Sequence, residues 1–103
     1  IPRMATITME MMRKAIDAFS HNDGEAAKTI PTMDIEVNEL EQAIVHELII
    51  YISKDPKTIN RALALIMVAK YLERVGDLTK NIAEEVVFMV EAKLIKHGRF
   101  LDA

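Results

Sequence analysis

The chain has 103 residues, half of them apolar, and its 13 basic and 16 acidic side chains give a formal net charge of −3. Cysteine is absent, which excludes disulfides, thiol nucleophiles and zinc–thiolate sites. The acidic balance argues against nucleic-acid binding, which needs a basic face that displaces counterions. With only 3 Gly and 3 Pro, the chain favours packed helices over a turn-rich β fold. The length suits one domain, and no apolar run reaches the about 18 residues of a membrane-spanning helix.

The first predicted element is a helix from Met4 to Phe19, because apolar residues recur there at helical spacing. Turn-forming residues at 20–24 end it. Asp23 is placed to cap a second helix over residues 24–53, in which Pro31 is expected to kink the helix or divide it.

The third predicted helix is long. Asp55 and Pro56 form a typical helix start, nothing but one glycine interrupts residues 57–97, and Gly98 is the expected end. Its apolar positions alternate at spacings of 4 and 3, as in a coiled-coil seam. The seam consists of Val68, Leu72, Val75, Ile82, Val86 and Met89, with Thr79 as its one polar member.

Three helices with one apolar face each predict an all-α fold, an antiparallel three-helix bundle with a long third helix. That helix would overhang its shorter neighbours. The overhang would expose Phe88, Val90, Leu94 and Ile95, which we expect to require a second domain or a second copy.

Four side chains with oxygen atoms form a row on the third helix. At 100° per residue, Glu73, Asp77, Asn81 and Glu84 lie within about 80° of one another and almost opposite the seam. The row is therefore predicted on the outside of the helix or at a groove edge. Carboxylates four residues apart repel by roughly 0.2–0.5 kcal/mol, and a bound cation would reverse that sign. Oxygen ligands suit hard cations and iron.

A second helix would have to complete such a site. The second predicted helix offers Asp34, Asn38 and Glu41 on one face. Gly76 costs up to about 1 kcal/mol in mid-helix, which indicates close helix contact or ligand access beside it. The alternative is a solvated face on which Lys70 and Lys80 pair with the acids.

Catalysis has no visible basis in the sequence. Gly-x-Ser-x-Gly is absent, His46-Glu47 lacks the second histidine of a zinc-protease motif, and no Glu has a His three residues later. The sequence therefore predicts a protein that is not an enzyme.

Several segments carry a family resemblance. Residues 72–77, Leu-Glu-Arg-Val-Gly-Asp, and residues 81–86, Asn-Ile-Ala-Glu-Glu-Val, resemble the signature of the PhoU family of bacterial phosphate-signalling regulators. Residues 2–4 and 15–19 are similar to the opening helix of that family's second repeat, and residues 34–41 to its second helix.

The resemblance implies a protein of two tandem three-helix bundles of the PhoU or spectrin type, with residues 1–103 as the C-terminal bundle. It also implies metal binding, with iron, magnesium, manganese or zinc as candidates. Glu73 and Asp77 match the family's acid motif; Asp34 matches its first acid on the second helix, where Asn38 replaces the second acid. The candidate ligands are Glu73, Asp77, Asp34, Asn38, Asn81 and Glu84.

The resemblance further implies a homodimer in the cytoplasm, at the inner face of the membrane. Its role would be to restrain phosphate uptake and signalling by contacting the ATPase subunit of the phosphate ABC transporter and a sensor histidine kinase. Two alternatives stay open from the residues alone: a structural dimerisation bundle without metal, and, with less support, a carboxylate-ligated metalloenzyme.

Overall fold

The computed structural model describes the backbone of residues 1–102 and the side chains of residues 1–96. The predicted all-α fold is confirmed: three long helices form the described chain, with one short helix and one 3-10 turn between them. Helix α1 spans Pro2–His21 and ends where Asn22 takes a left-handed conformation, with φ 52°. There the Asp23 backbone N–H donates to the Ala18 carbonyl at 2.9 Å, which closes the helix end.

The predicted second helix is divided in two. Helix α2 is a single turn, Gly24–Ala27, and Asp23 caps it as predicted by accepting from the Ala26 N–H at 3.0 Å. Helix α3 then spans Ile30–Lys54. The break precedes Pro31, which lies in the first turn of α3, where its missing N–H leaves no hydrogen bond unmade.

The last helix is longer than predicted. Asp55 accepts from the Lys57 N–H at 3.3 Å and caps a 3-10 turn, Pro56–Thr58, after which α4 spans Ile59–Asp102. The predicted end at Gly98 is wrong, because the helix continues through it. A helical glycine costs only about 1 kcal/mol, and residues 99–103 contain no proline that would stop the helix. The side chain of His97 lies outside the described residues.

The three long helices run antiparallel in sequence order, so α1 is parallel to α4. Glu41 of α3 pairs with Lys70 of α4, while Met11 of α1 reaches the position of Gly76. The core contains large side chains from α1 and α3 and small ones from α4. Its buried members include Met4, Ile7, Met11, Ile30, Val37, Ala69 and Ala83.

The predicted seam of α4 is only partly buried. Thr79 and Val86 are buried, whereas Val68, Ile82 and Met89 are 43%, 50% and 39% exposed. The buried line of α4 is instead formed by small residues that follow one another every seven positions, Ala62, Ala69, Gly76 and Ala83. Helices α1 and α3 pack on either side of this line. The buried face of α4 is therefore rotated away from the seam and towards α3.

Three of the four apolar side chains predicted on the overhang are exposed, although residues at the ends of α1 and α2 still contact α4 as far as Glu91 and Lys93. Phe88, Leu94 and Ile95 are 68%, 67% and 62% exposed. Val90 differs, because it is half-buried and lies 3.4 Å from the position that a Cβ on Gly24 would take.

Candidate metal centre

Asp34 is the buried centre of the acidic residues. Its position on α3 faces α4, and the residue is only 2% exposed. Asn38, one turn later, donates its Nδ2 to Asp34 Oδ2 at 3.5 Å. A Cβ on Gly76 would lie 3.0 Å from Asp34 Oδ1. Gly76 therefore permits the close approach of α3 and α4 that its place in mid-helix predicted.

Two acids of α4 meet Asp34 across this contact. Glu73 and Asp77 are half-buried at the edge of the α3–α4 groove, which is one of the two positions predicted for the row. The carboxyl of Asp77 lies close enough to Asp34 and to Glu73 for its negative charge to raise the pKa of both. Two ionised carboxylates repel and cannot donate to each other, so a proton or a nearby cation would favour a close contact between them.

The ionisation of these acids reflects their crowding. Burial raises the pKa of Asp34 above its ordinary value, and the negative charge of Asp77 raises it further. Burial likewise raises the pKa of Glu73, followed by its hydrogen bond with Asp77 and by the charges of Asp77 and Glu41. The cluster thus holds more negative charge than its surroundings stabilise.

Glu41 completes what we call the carboxylate cluster: Asp34, Glu41, Glu73 and Asp77. It is buried, and its Oε1 lies 2.8 Å from the Lys70 Nζ. The hydrogen bond and charge of Glu41 raise the pKa of Lys70. The sequence pattern placed Glu41 on the same helix face as Asp34 and Asn38, but Glu41 was not among the candidate ligands. Its seven-residue spacing from Asp34 was the signal that could have identified it as a member of the cluster.

Several buried oxygen atoms at this level accept no hydrogen bond within the described part of the chain. They include Asp34 Oδ1, Asn38 Oδ1 and, on α1, Thr8 Oγ1. Unpaired buried acceptors each cost about 1–3 kcal/mol. A hard cation is a chemical match for Asp34 and Asn38, because it binds carboxylate and amide oxygens.

No three acidic or histidine side chains among residues 1–96 already converge on one point as metal ligands. A cation at Asp34 would therefore have to draw the half-buried carboxylates of Glu73 and Asp77 inwards. Both belong to flexible side chains on one face of α4, four residues apart, so rotamer changes alone can bring them closer.

The other two candidate ligands lie elsewhere. Glu84 is exposed and lines a cavity of about 360 Å³ together with Lys28, Pro31 and Phe88. Asn81 is exposed in a different depression, next to Leu78 and Ile82. The structure brings Asp34, Asn38, Glu73 and Asp77 together and leaves Asn81 and Glu84 outside the cluster.

The alternative of an acidic face paired with lysines is supported only in part. Lys70 pairs with Glu41 rather than with Glu73. None of the four ion pairs in the described region, which also join Arg3 to Glu36 and Lys28 to two glutamates, involves Glu73, Asp77 or Glu84. The positive charges of Lys80 and Lys70 still oppose the rise in the pKa of Asp34 and of Glu73, so nearby lysines compensate the row in part without a direct ion pair.

Within residues that the structure describes, none of the helices combines the length and apolar character required to cross a membrane.

Comparisons with known proteins agree with the fold and the motif. The family model of the PhoU domain matches residues 1–86. The phosphate-specific transport system accessory protein PhoU homolog of Caulobacter vibrioides is 40% identical over 88 residues, which are 85% of this chain and 38% of that protein. The Pseudomonas aeruginosa homolog is 34% identical over 88 residues, 85% of this chain and 36% of the relative.

Thermotoga maritima homolog 2 is 34% identical over 96 residues, covering 93% and 41% of the two chains. The crystal structure of PhoU from Pseudomonas aeruginosa superposes with a TM-score of 0.86 at 32% identity, covering 88% of this chain and 44% of that one. The chain thus spans about two fifths of the length of these relatives.

Proposed function

This chain belongs to the PhoU domain family, and we propose that it helps to restrain phosphate uptake and phosphate-responsive signalling. It would act without catalysis, by contact with the ATPase subunit of a phosphate ABC transporter and with a sensor histidine kinase, at the cytoplasmic face of the membrane. Support comes from relatives at 30–40% identity that are accessory proteins of the phosphate-specific transport system. The chain covers only part of each relative, so the role of the whole relatives is a proposal for this chain.

Regulation by contact needs a surface that changes with conditions, and the carboxylate cluster contains two acids, Asp34 and Glu73, whose pKa values are raised by burial and crowding. We propose that a divalent or ferric cation binds at Asp34, Glu73 and Asp77, with the Asn38 amide oxygen as a further ligand. The observation that supports this proposal is the unpaired, buried Asp34 Oδ1, next to which the negative charge of Asp77 raises the pKa of the Asp34 carboxyl. A cation would supply the missing positive charge and fix α3 against α4.

Thermal unfolding with added cations tests the metal proposal. We expect Fe³⁺, Mn²⁺ or Mg²⁺ to raise the melting temperature of the whole chain, because a ligand at 100 times its Kd stabilises by about 2.7 kcal/mol. The double variant Asp34→Asn, Asp77→Asn should lose this rise. Glu84→Gln is the matched control, since it removes one exposed acid of the same helix outside the cluster. Equal responses of all three proteins to every cation would exclude the site.

The regulatory proposal has a separate test in cells. Bacteria that lack their own accessory protein should show lower phosphate uptake when they express this protein. Uptake that stays unchanged while the protein is present and folded would contradict the proposal. A structural dimerisation bundle without metal is the second candidate, and the exposed apolar side chains support it. A homodimer is compatible with both candidates.

A further inference from the structure

Glu41 is a buried carboxylate that takes its counter-charge from a surface residue. Its side chain is 9% exposed, whereas the side chain of Lys70, whose Nζ lies 2.8 Å from Glu41 Oε1, is 58% exposed. Glu41 Oε1 is also one of the buried oxygens without a well-directed hydrogen bond, so the ammonium approaches it at a poor angle. The ammonium therefore acts at this oxygen mainly as a compact positive charge, as a metal ion would.

Lys70 is close to a second acid of the carboxylate cluster. It precedes Glu73 by three residues on α4, so the two side chains are neighbours on one helix face. The charge of Glu41 raises the pKa of Glu73, and the charge of Lys70 lowers it. Glu41, Glu73 and the Lys70 ammonium thus form one end of the cluster, and Asp34 lies at the other end.

The two ends of the cluster are too far apart to share one ion. Glu41 follows Asp34 by seven residues of α3, which is about 10 Å along the helix axis. A hard cation holds each oxygen ligand within about 2.6 Å. An ion bound at Asp34 therefore leaves Glu41 without a cation of its own, and the cluster offers two positions for positive charge.

The charges of the cluster and of its neighbours agree with one metal ion and not two. The four carboxylates of the cluster carry four negative charges when all are ionised. Lys70 compensates one of them by direct contact. Lys80 is half-buried, and its charge acts on Asp34 without an ion pair in the described part of the chain. The two lysines leave two negative charges, which is what a single divalent cation neutralises.

We propose that the Lys70 ammonium occupies the position of a cation at Glu41, so that the native cluster binds one divalent cation, and that Lys70→Met opens a second cation site at Glu41 and Glu73. The first cation, at Asp34, rests on the proposed function. The second site is inferred from the ion pair of Lys70 with a buried carboxylate. If Lys70 and Glu41 form only a stabilising salt bridge, the loss of Lys70 destabilises the fold and creates no affinity for a cation.

Counting bound Mn²⁺ per chain tests the inference. After equilibrium dialysis of the whole chain at neutral pH, we expect one manganese ion in the native chain and two in Lys70→Met. Lys70→Arg keeps the positive charge and should bind one. Lys57→Met is the matched control, because it removes an exposed lysine outside the cluster, and it should also bind one.

The double variant Lys70→Met, Glu41→Gln removes the second site together with its buried charge. It should bind one manganese ion and stay folded, because no buried carboxylate then lacks a partner. Thermal unfolding gives a second measurement. Mn²⁺ should raise the melting temperature of Lys70→Met more than that of the native chain, and it should raise that of the double variant no more than that of the native chain.

The counts separate this inference from the proposed metal site. One ion in both the native chain and Lys70→Met would overturn the inference and leave the site at Asp34 standing. No ion in the native chain and one in Lys70→Met that the double variant loses would support the role of Lys70 and reject the site at Asp34. No ion in either protein would reject both, and a second ion that persists in the double variant would overturn the assignment to Glu41.

Discussion

Replacing Gly76 by alanine should destabilise the protein, although alanine is the better helix former. The added Cβ would lie 3.0 Å from Asp34 Oδ1, 3.5 Å from Val37 Cγ1 and 4.0 Å from Met11 Cε. Only the first distance is shorter than an ordinary van der Waals contact. The neighbour that must move is therefore the buried carboxylate of Asp34, which already lies beside the negative charge of Asp77.

Two opposing effects set the magnitude. Glycine to alanine in a helix interior gains up to about 1 kcal/mol from propensity. Overpacking a buried site costs about 1–3 kcal/mol. We therefore expect Gly76→Ala to lower the free energy of unfolding by about 1 kcal/mol, which is a fall of roughly 4–8 °C in melting temperature for a domain of this size.

In the background of the Asp34→Ala variant, we expect the effect of Gly76→Ala on stability to change sign. Without the carboxylate, alanine at position 76 has room, and the propensity term alone should make Gly76→Ala stabilising by up to about 1 kcal/mol. Urea unfolding of the four proteins measures the coupling energy, which for residues in contact is about 0.5–3 kcal/mol. Gly24→Ala is a control, because its nearest neighbour, Val90, would stay 3.4 Å away.

Two results would refute the reasoning. A stabilising Gly76→Ala in the native background would mean that α3 and α4 do not approach closely at this level. An equal loss in both backgrounds would move the steric conflict from Asp34 to Val37 or Met11, and the glycine would then have no relation to the carboxylate cluster.

Three further predictions concern charge and capping. The raised pKa values of Asp34 and Glu73 mean that the native state holds protons more tightly than the unfolded chain. Their contribution to stability is therefore present below the ordinary values of 3.8 and 4.5 and is lost as pH rises through the native pKa values. In metal-free buffer, the fall in urea midpoint as pH rises from these ordinary values to neutrality should be larger for the unsubstituted chain than for the double variant Asp34→Asn, Glu73→Gln, and an equal fall in both would contradict this. Lys70→Met should lower the melting temperature more than Glu41→Gln does, because it leaves a buried carboxylate without its cation; equal losses would contradict this. Asp23→Ala should cost about 1 kcal/mol by removing the cap of α2, and hydrogen exchange at the start of α2 should rise; unchanged exchange there would show that the cap is dispensable.

The helices were predictable because their signals are local. The caps at Asp23 and Asp55 depend on residues two or three positions away, and both are found where the sequence placed them. The break before Pro31 was anticipated, whereas its place was not resolved, because proline permits either a kink or a new first turn. The prediction that α4 ends at Gly98 was wrong for a related reason, because glycine is compatible with a helix end without enforcing one.

The carboxylate cluster was predictable only in part, because it depends on the angle at which helices meet. The row on α4 and the face of Asp34, Asn38 and Glu41 follow from periodicity. Their meeting depends on small residues such as Gly76 and Ala83, which turn the buried face of α4 away from its most apolar seam. Hydrophobicity alone points to the seam, since large side chains dominate such patterns. Close approach of α3 instead buries the line of small residues and places Asp34 where the charge of Asp77 acts on it, whereas Asn81 and Glu84 line other depressions.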